Sequence, residues 1–338
     1  MSGHPIGPAA TPPGRLSTRL PAAVVAVCLA PAVAIDLLWL FGVSGPRPLV
    51  LAQTLAVPIH ALALAAIPAV AAMGVGLVRR TRRPCRVVTA AAATVAVLLV
   101  GAGLMLGDRG GGPSGEATNL TVYSANLAYY RAADSLDLSD VVAAQPDVAV
   151  FQEVTPAFLE RLEATLLDYR LVEATPRNDA FGAAMFSRLP VESSRVENLT
   201  GSPTPVADVR TPDGVVTVVG VHTLPPFFGL DDWRAQHEQL AELANRSERV
   251  VLIGDFNAIG RLRPMRDLVA AAELSDAHRD VGTGLGLTWP DTGIGPLPAG
   301  IPIARLDRAL SRGVTARSLR VGPAHGSDHR PIEASFSV

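Results

Sequence analysis

Two patterns of apolar and polar positions divide the chain. Before Gly107 hydrophobic residues run on with little interruption, mostly Ala, Val and Leu. Three stretches there, 21–43, 49–78 and 87–106, each reach the roughly 20 residues that a helix needs to cross a bilayer. A signal peptide accounts for one such stretch at most, and a buried core helix does not explain three in succession. Three transmembrane helices are therefore expected. From Leu120 onward the apolar runs become short and end in polar residues. LTVYSAN (120–126), DVAVFQ (147–152), FGAAMFS (181–187), VVTVVGVH (215–222) and VVLIGDF (250–256) read as strands rich in β-branched and aromatic side chains. Helices fit around 135–145, 156–167 and 232–247, where Trp233, Leu240 and Leu243 mark an apolar face. GDRGGGPSG over 107–115 separates the two regimes as a flexible linker.

Charge adds orientation to this division. Arg79, Arg80, Arg82, Arg83 and Arg86 lie between the second and third stretches, whereas Arg47 stands alone between the first and second. Positive loops stay inside, and Arg15 and Arg19 agree with that side. The expected layout is a cytoplasmic tail (1–20), a three-helix transmembrane region (21–106), the linker (107–115) and an extracytoplasmic domain (116–338) of a multi-pass plasma-membrane protein. Asp36 and His60 fall inside the spans, as a polar pair or near a water-filled edge.

Composition excludes several chemistries. All 29 basic residues are Arg, so Lys Schiff bases and the P-loop lysine are out. The two cysteines, Cys28 and Cys85, both precede the linker, so residues 116–338 carry no thiolate nucleophile, disulfide or zinc-thiolate site. Over those residues 29 acidic side chains face 20 Arg. Such a domain repels polyanions at long range, which disfavours general nucleic-acid binding.

Asn126, Glu153, His222 and Asp255 each stand at the C-terminal end of an expected strand. Four such ends at one sheet edge would make a polar cluster on a rigid frame. Acids, amides and imidazoles without Lys or Cys suit a hard divalent cation and phosphate chemistry.

The ordered motifs SANL (124–127), FQEV (151–154), FGAAMFSRLPV (181–191), GVH (220–222), GDFNA (254–258), RLDRAL (305–310) and GSDHRP (326–331) resemble those of the endonuclease/exonuclease/phosphatase superfamily. The resemblance covers the whole of 120–338. It implies an α/β fold, a four-layer α-β-β-α sandwich, here preceded by the three transmembrane helices. It also implies Glu153 as the principal Mg²⁺ or Mn²⁺ ligand, with Asn126 beside it and Asp328 helping. His329, hydrogen-bonded by Asp307, would face the phosphate. Asp255 would position and deprotonate the attacking water, Asn257 would steady the phosphoryl oxygens, and His222 would contact phosphate. One departure is Ala128, where apurinic endonucleases carry an Asp, which leaves the number of metals open.

Three spans before a compact exported domain look most like the actinobacterial membrane-anchored members associated with teicoplanin-type glycopeptide resistance. That likeness implies a phosphoric ester hydrolase acting on a phosphomonoester, diphosphate or phosphodiester at the membrane or envelope, such as a lipid-linked cell-wall precursor. The alternatives are an extracytoplasmic nuclease and a catalytically inactive membrane-anchored binding module. The sequence leaves the oligomeric state open. Around the site, His278 reads as a surface histidine in a loop and Asp276 as a structural residue. Trp289 either lines the cleft or closes the core. The loop LPPFFGL (224–230) either packs inward or dips into a bilayer.

Overall fold

The β-branched runs become strands because each is buried on both faces. A computed structural model describes residues 19–41, 43, 45–65, 118–292 and 299–338. The strands are β1 (Leu120–Asn126), β2 (Val148–Gln152), β3 (Arg170–Thr175), β4 (Ala183–Ser187), β5 (Val191–Leu199), β6 (Ser202–Thr211), β7 (Gly214–His222), β8 (Val250–Asp255), β9 (Ser275–Asp276), β10 (Asp307–Arg312), β11 (Thr315–Val321) and β12 (Ile332–Ser337). They form two six-stranded mixed sheets, in the orders β11-β12-β1-β2-β4-β3 and β5-β6-β7-β8-β10-β9. The inner faces meet through Val122, Val150, Met185, Val218, Val251 and Ile253.

Helices cover both outer faces. Continuing in chain order from three N-terminal helices, α1 (Arg19–Leu40), α2 (Arg47–Thr54) and α3 (Ala56–Ala65), they are α4 (Ser139–Ala144), α5 (Pro156–Thr165), α6 (Leu230–Ala244), α7 (Arg263–Ala271) and α8 (Ala277–Val281). On the first sheet, Val141, Phe158 and Leu162 from α4 and α5 pack against Phe151 and Phe186. On the second, Trp233 and Leu240 of α6 and Met265 and Leu268 of α7 pack against Val219, Leu252 and Phe256. This is the expected four-layer α-β-β-α arrangement. Thr155 caps α5 through its hydroxyl, which accepts from Phe158 N, with Pro156 tolerated where no helical N–H is needed.

Several elements differ from expectation. The helix expected over 135–145 is a single 3-10 turn, Ala133–Ser135, followed by α4. Among strands not anticipated, β5 alternates charge on an exposed edge, and β6 contains Pro203 and Pro205, which argue against a strand in sequence. His278 is a correction: it is fully buried in α8, with Nδ1 3.5 Å from Asp276 Oδ1. Asp276 accepts from His278 N at 3.0 Å as the N-cap of α8 and pairs with Arg308, a structural role as read from sequence. Burial lowers the His278 pKa to about 4.

Among the described residues no helix is long and apolar enough to cross a membrane. The first expected span coincides in part with α1. The second begins as α2 and α3, broken at Leu55, and Pro58 sits in the first turn of α3, where its missing N–H costs nothing. The tail before residue 19, the rest of the second span, the basic loop 79–86, the third span and the linker lie outside the described residues. Asp36 and His60 do form a buried pair, Nε2 to Oδ1 at 3.0 Å.

Candidate active site

Strand register brings the site together. β7 and β8 run parallel with His222 paired to Asp255, and β10 returns antiparallel with Asp307 opposite Asp255. In the other sheet β1 and β2 are parallel with Asn126 opposite Gln152, so Glu153 follows at the same edge. β12 runs antiparallel to β1, with Ile332 opposite Ser124, so the preceding GSDHRP segment also arrives there. Ser327 fastens it: its hydroxyl donates to Asn126 O at 2.7 Å and accepts from His329 N at 3.1 Å.

Local backbone then aims the side chains. Glu153 (φ 58°) and Asn257 (φ 46°) are both in the left-handed region, a conformation costly for residues with a Cβ and maintained only where surroundings compel it. In GDFN, Gly254 has φ 143°, and a Cβ there would come within 2.0 Å of Val221 O. Only glycine lets β8 approach β7 closely enough to pair Asp255 with His222.

Seven of the eight residues singled out from sequence are joined by measured contacts. Glu153 accepts from Asn126 Nδ2 at 3.0 Å and from Tyr129 N at 3.0 Å. Asp255 accepts from Asn257 N at 2.8 Å, from Asn257 Nδ2 at 3.2 Å and, across the two sheets, from Asn126 Nδ2 at 3.3 Å. His329 Nδ1 donates to Asp307 Oδ2 at 2.8 Å, and its Nε2 lies 3.6 Å from Asp255 Oδ2. His222 Nε2 lies 3.9 Å from Glu153 and 3.8 Å from Asp255. Asp328, the eighth, shares the cavity, with Trp289 Nε1 donating to its Oδ2 at 3.4 Å. Trp289 therefore lines the cleft.

Electrostatics divides these groups. Burial raises the Asp255 pKa, and the Asp307 carboxylate adds to that while His329 opposes it. Burial also raises Glu153, against the hydrogen bonds from Tyr129 N and Asn126. For His329 burial acts downward, yet the carboxylates of Asp307 and Asp255 and the hydrogen bond to Asp307 carry its pKa up to about 10. His329 is thus an imidazolium at neutral pH. Burial keeps His222 below the usual histidine range.

Asp255, Asp307 and His329 bring three ligand atoms within 4.8 Å of one another. That trio is a poor metal site, because an imidazolium has no lone pair to give and its N–H occupies Asp307. The oxygen donors of Glu153 and Asp328 fit a hard divalent cation better, with Asn126 alongside; its Nδ2 faces Glu153 and its Oδ1 accepts from Ala128 N at 3.0 Å.

The cavity over these residues measures about 600 Å³. Phe227 and Phe228 stand at its wall, 55% and 72% exposed, while Leu224 and Leu230 of the same loop pack on the helical core. Within loop 224–230 the inward packing holds for the two leucines and not for the two phenylalanines. Sequence reading missed Tyr130, whose phenol is pushed up to about 12 by burial and by Asp328 and Glu153, and which hydrogen-bonds Asp328. The only signal was its place four residues after Asn126.

Solved structures similar in fold include zebrafish (D. rerio) TDP2 complexed with a single-strand DNA product, at 18% identity and TM-score 0.54, covering 66% of this chain and 100% of that one. A mannosyl-6-phosphatase from Bacteroides thetaiotaomicron matches at 16% identity and TM-score 0.51, over 65% of this chain and 100% of that one. A family protein from Leptotrichia buccalis matches at 17% and 0.53, over 65% and 100%. No curated protein sequence matches the chain. Residues 123–329, from inside β1 to His329, match the sequence profile of the Endonuclease/Exonuclease/phosphatase family. The chain belongs to that family of phosphoester hydrolases.

Proposed function

We propose that this protein is a divalent-metal-dependent phosphoesterase, outside the cytoplasm, that acts on a phosphate group carried by a membrane or envelope substrate. The observation that carries the reading is the convergence of Glu153, Asp255, Asn257 and His329 on one cavity with an exposed apolar wall, with Asp307 behind them holding His329. Glu153 and Asp328, with Asn126 beside them, would hold a Mg²⁺ or Mn²⁺ ion, which would supply charge neutralisation at the phosphoryl oxygens. Asp255, with its pKa raised and its carboxylate held by Asn257 and Asn126, aims an attacking water and takes its proton. The His329 imidazolium offers a hydrogen bond to an oxygen that gains charge in the transition state, and Asn257, whose Nδ2 donates to Thr223 O at 2.8 Å and to Asp255 Oδ2 at 3.2 Å, joins it by exchanging the longer of these bonds for one to the phosphate. Asp307 fixes the His329 ring by accepting from Nδ1.

The membrane part rests on three apolar stretches, on the arginine asymmetry, and on Phe227 and Phe228 beside the cavity. Residues 37–58, which take in the expected external loop (44–48) together with the end of the first expected span and the start of the second, belong to one compact unit with the α/β domain, which supports a domain on the loop's side of the bilayer. A lipid-linked cell-wall precursor, with a role in glycopeptide resistance, is the finer proposal, and the likeness in domain layout read from the sequence is what supports it.

A second reading, an extracytoplasmic nuclease, draws on the fold shared with TDP2, one structure of which holds a single-strand DNA product. The excess of acidic residues opposes it. The test is hydrolysis by the purified full-length protein, with Mg²⁺ and with EDTA, of a prenyl phosphate in vesicles, a soluble aryl phosphate and plasmid DNA. Metal-dependent turnover of the vesicle substrate is expected. Turnover of DNA alone would favour the nuclease, and full activity in EDTA would remove the metal.

A further inference from the structure

The cavity at the strand ends is not walled by the α/β domain alone. Arg47, Leu51 and Thr54 line it as well, although they lie far upstream on α2. At i, i+4 and i+7 they share one face of that helix, while Val50 and Gln53 turn the other way and are buried. Val50 enters the same apolar cluster as Trp233 and Leu252. Arg234 Nη2 donates to Gly45 O at 3.2 Å, and the Arg261 guanidinium lies 5.6 Å from the Trp39 ring centre. Burial and hydrogen bonding therefore hold this segment against the domain in a defined place.

Charge gives the placement its meaning. The other ionisable groups around the cavity are the Tyr129 phenol, the carboxylates of Glu153, Asp179, Asp255 and Asp328 and the imidazoles of His222 and His329. Asp179 is already held by Arg177, through contacts of 2.9, 3.1 and 2.7 Å. Among the described lining residues Arg47 is the one arginine, and it is exposed. A guanidinium presents a planar fork of donors that matches phosphate oxygens two at a time. Asp255, Asn257 and His329 surround the attacked phosphoryl group at the strand ends, whereas Arg47 borders the cavity from the exposed face of α2, so Arg47 serves a different part of the substrate.

Resting on the phosphoesterase reading, we infer that Arg47 is a specificity-determining residue that binds a second phosphate adjoining the one attacked. The substrate class is then a diphosphate ester, with its apolar remainder against Leu51, Phe227 and Phe228. The active site is composite, and a protein lacking residues 37–58 loses this selectivity while keeping the strand-end groups.

The test uses the full-length protein and a pair of non-hydrolysable probes, a farnesyl diphosphonate and a farnesyl monophosphonate, measured by calorimetry with Mg²⁺ present. Hydrolysis of farnesyl diphosphate and farnesyl monophosphate is followed in parallel. Arg47→Gln is expected to weaken diphosphonate binding about ten- to a hundredfold, the range for losing a charge-assisted bidentate contact, and to change monophosphonate binding less than about threefold. Arg47→Lys should recover part of the loss, and an unchanged melting temperature would show that the fold is kept. Equal losses on both probes, or none on the diphosphonate, would overturn the assignment. Selective binding lost in Arg47→Gln without any hydrolysis by the wild type would instead remove the phosphoesterase reading and leave Arg47 as a diphosphate-binding residue.

Discussion

The floor of the cavity and its rim are built on opposite principles. The floor groups are Glu153, mostly buried, and Asn126, His222, Asp255, Asp307 and His329, at most 5% exposed; they sit at or beside strand ends, and all but His222 hydrogen-bond within the set. The rim groups, Arg47, Leu51, Tyr129, Phe227 and Phe228, are exposed and stand on a short helix and on loops. A floor locked by two packed sheets pre-organises charge for one kind of chemistry. A rim on loops can change without disturbing that chemistry, and the proposed selectivity is placed there.

The contrast is broken most severely at the floor. Glu153→Gln keeps shape and hydrogen-bonding capacity but removes the charged ligand, and kcat at saturating Mg²⁺ should fall by about two to four orders of magnitude on every substrate. A loss confined to lipid-borne substrates would move Glu153 from floor to rim. Gly254→Ala tests whether the backbone under the floor is as constrained as its glycine implies. With a Cβ forced within 2.0 Å of Val221 O, stability should fall by about 3 kcal/mol or more, read by denaturant unfolding.

The layer behind the floor has its own signature. His237 is buried between Trp233 and Phe256, its Nδ1 donating to Trp233 O at 2.7 Å, and burial holds its pKa down to about 4. The folded protein therefore keeps it neutral, while the unfolded chain protonates it near 6.5. Stability is full above pH 6.5, declines as pH falls toward 4 and levels off below, with up to about 3 kcal/mol from this group. His237→Leu should flatten that part of a melting-temperature profile, and an unchanged slope would assign the dependence to other groups. The smallest effect belongs to the rim. Phe227→Ser with Phe228→Ser should slow turnover of a vesicle-borne phosphate by about tenfold and leave a soluble aryl phosphate within about twofold. Equal losses on both would show that the two phenylalanines support the floor.

Much of the floor was legible because central strands of a four-layer fold are buried on both faces. Such strands read as unbroken β-branched runs, and the polar residue ending each run marks the sheet edge. β1, β2, β4, β7 and β8 were visible on that basis, and with them Asn126, Glu153, His222 and Asp255. The edge strand β5 and the proline-bearing β6 lack the signal, since one alternates charges in solvent and the other breaks the donor pattern. His278 was misread because its neighbours Asp276 and Arg279 look like surface; burial there depends on the Arg308–Asp276 pair, contributed by a strand over thirty residues away.

By itself the sequence determined which chemical groups this protein owns, the absence of Lys and of cysteine after the linker, and the strands that end in acids, amides and imidazoles. Those properties are local, and periodicity or composition suffices to read them. Only the tertiary structure decided which groups meet. Asp307 faces Asp255 because β10 pairs with β8 in one register, and Asn126 reaches Asp255 because two sheets pack face to face. Arg47 read in sequence as a topology marker, and it borders the cavity because Val50, three residues on, is buried in the core of the distant domain. These contacts join positions separated by tens to hundreds of residues, where no local pattern carries information about the partner.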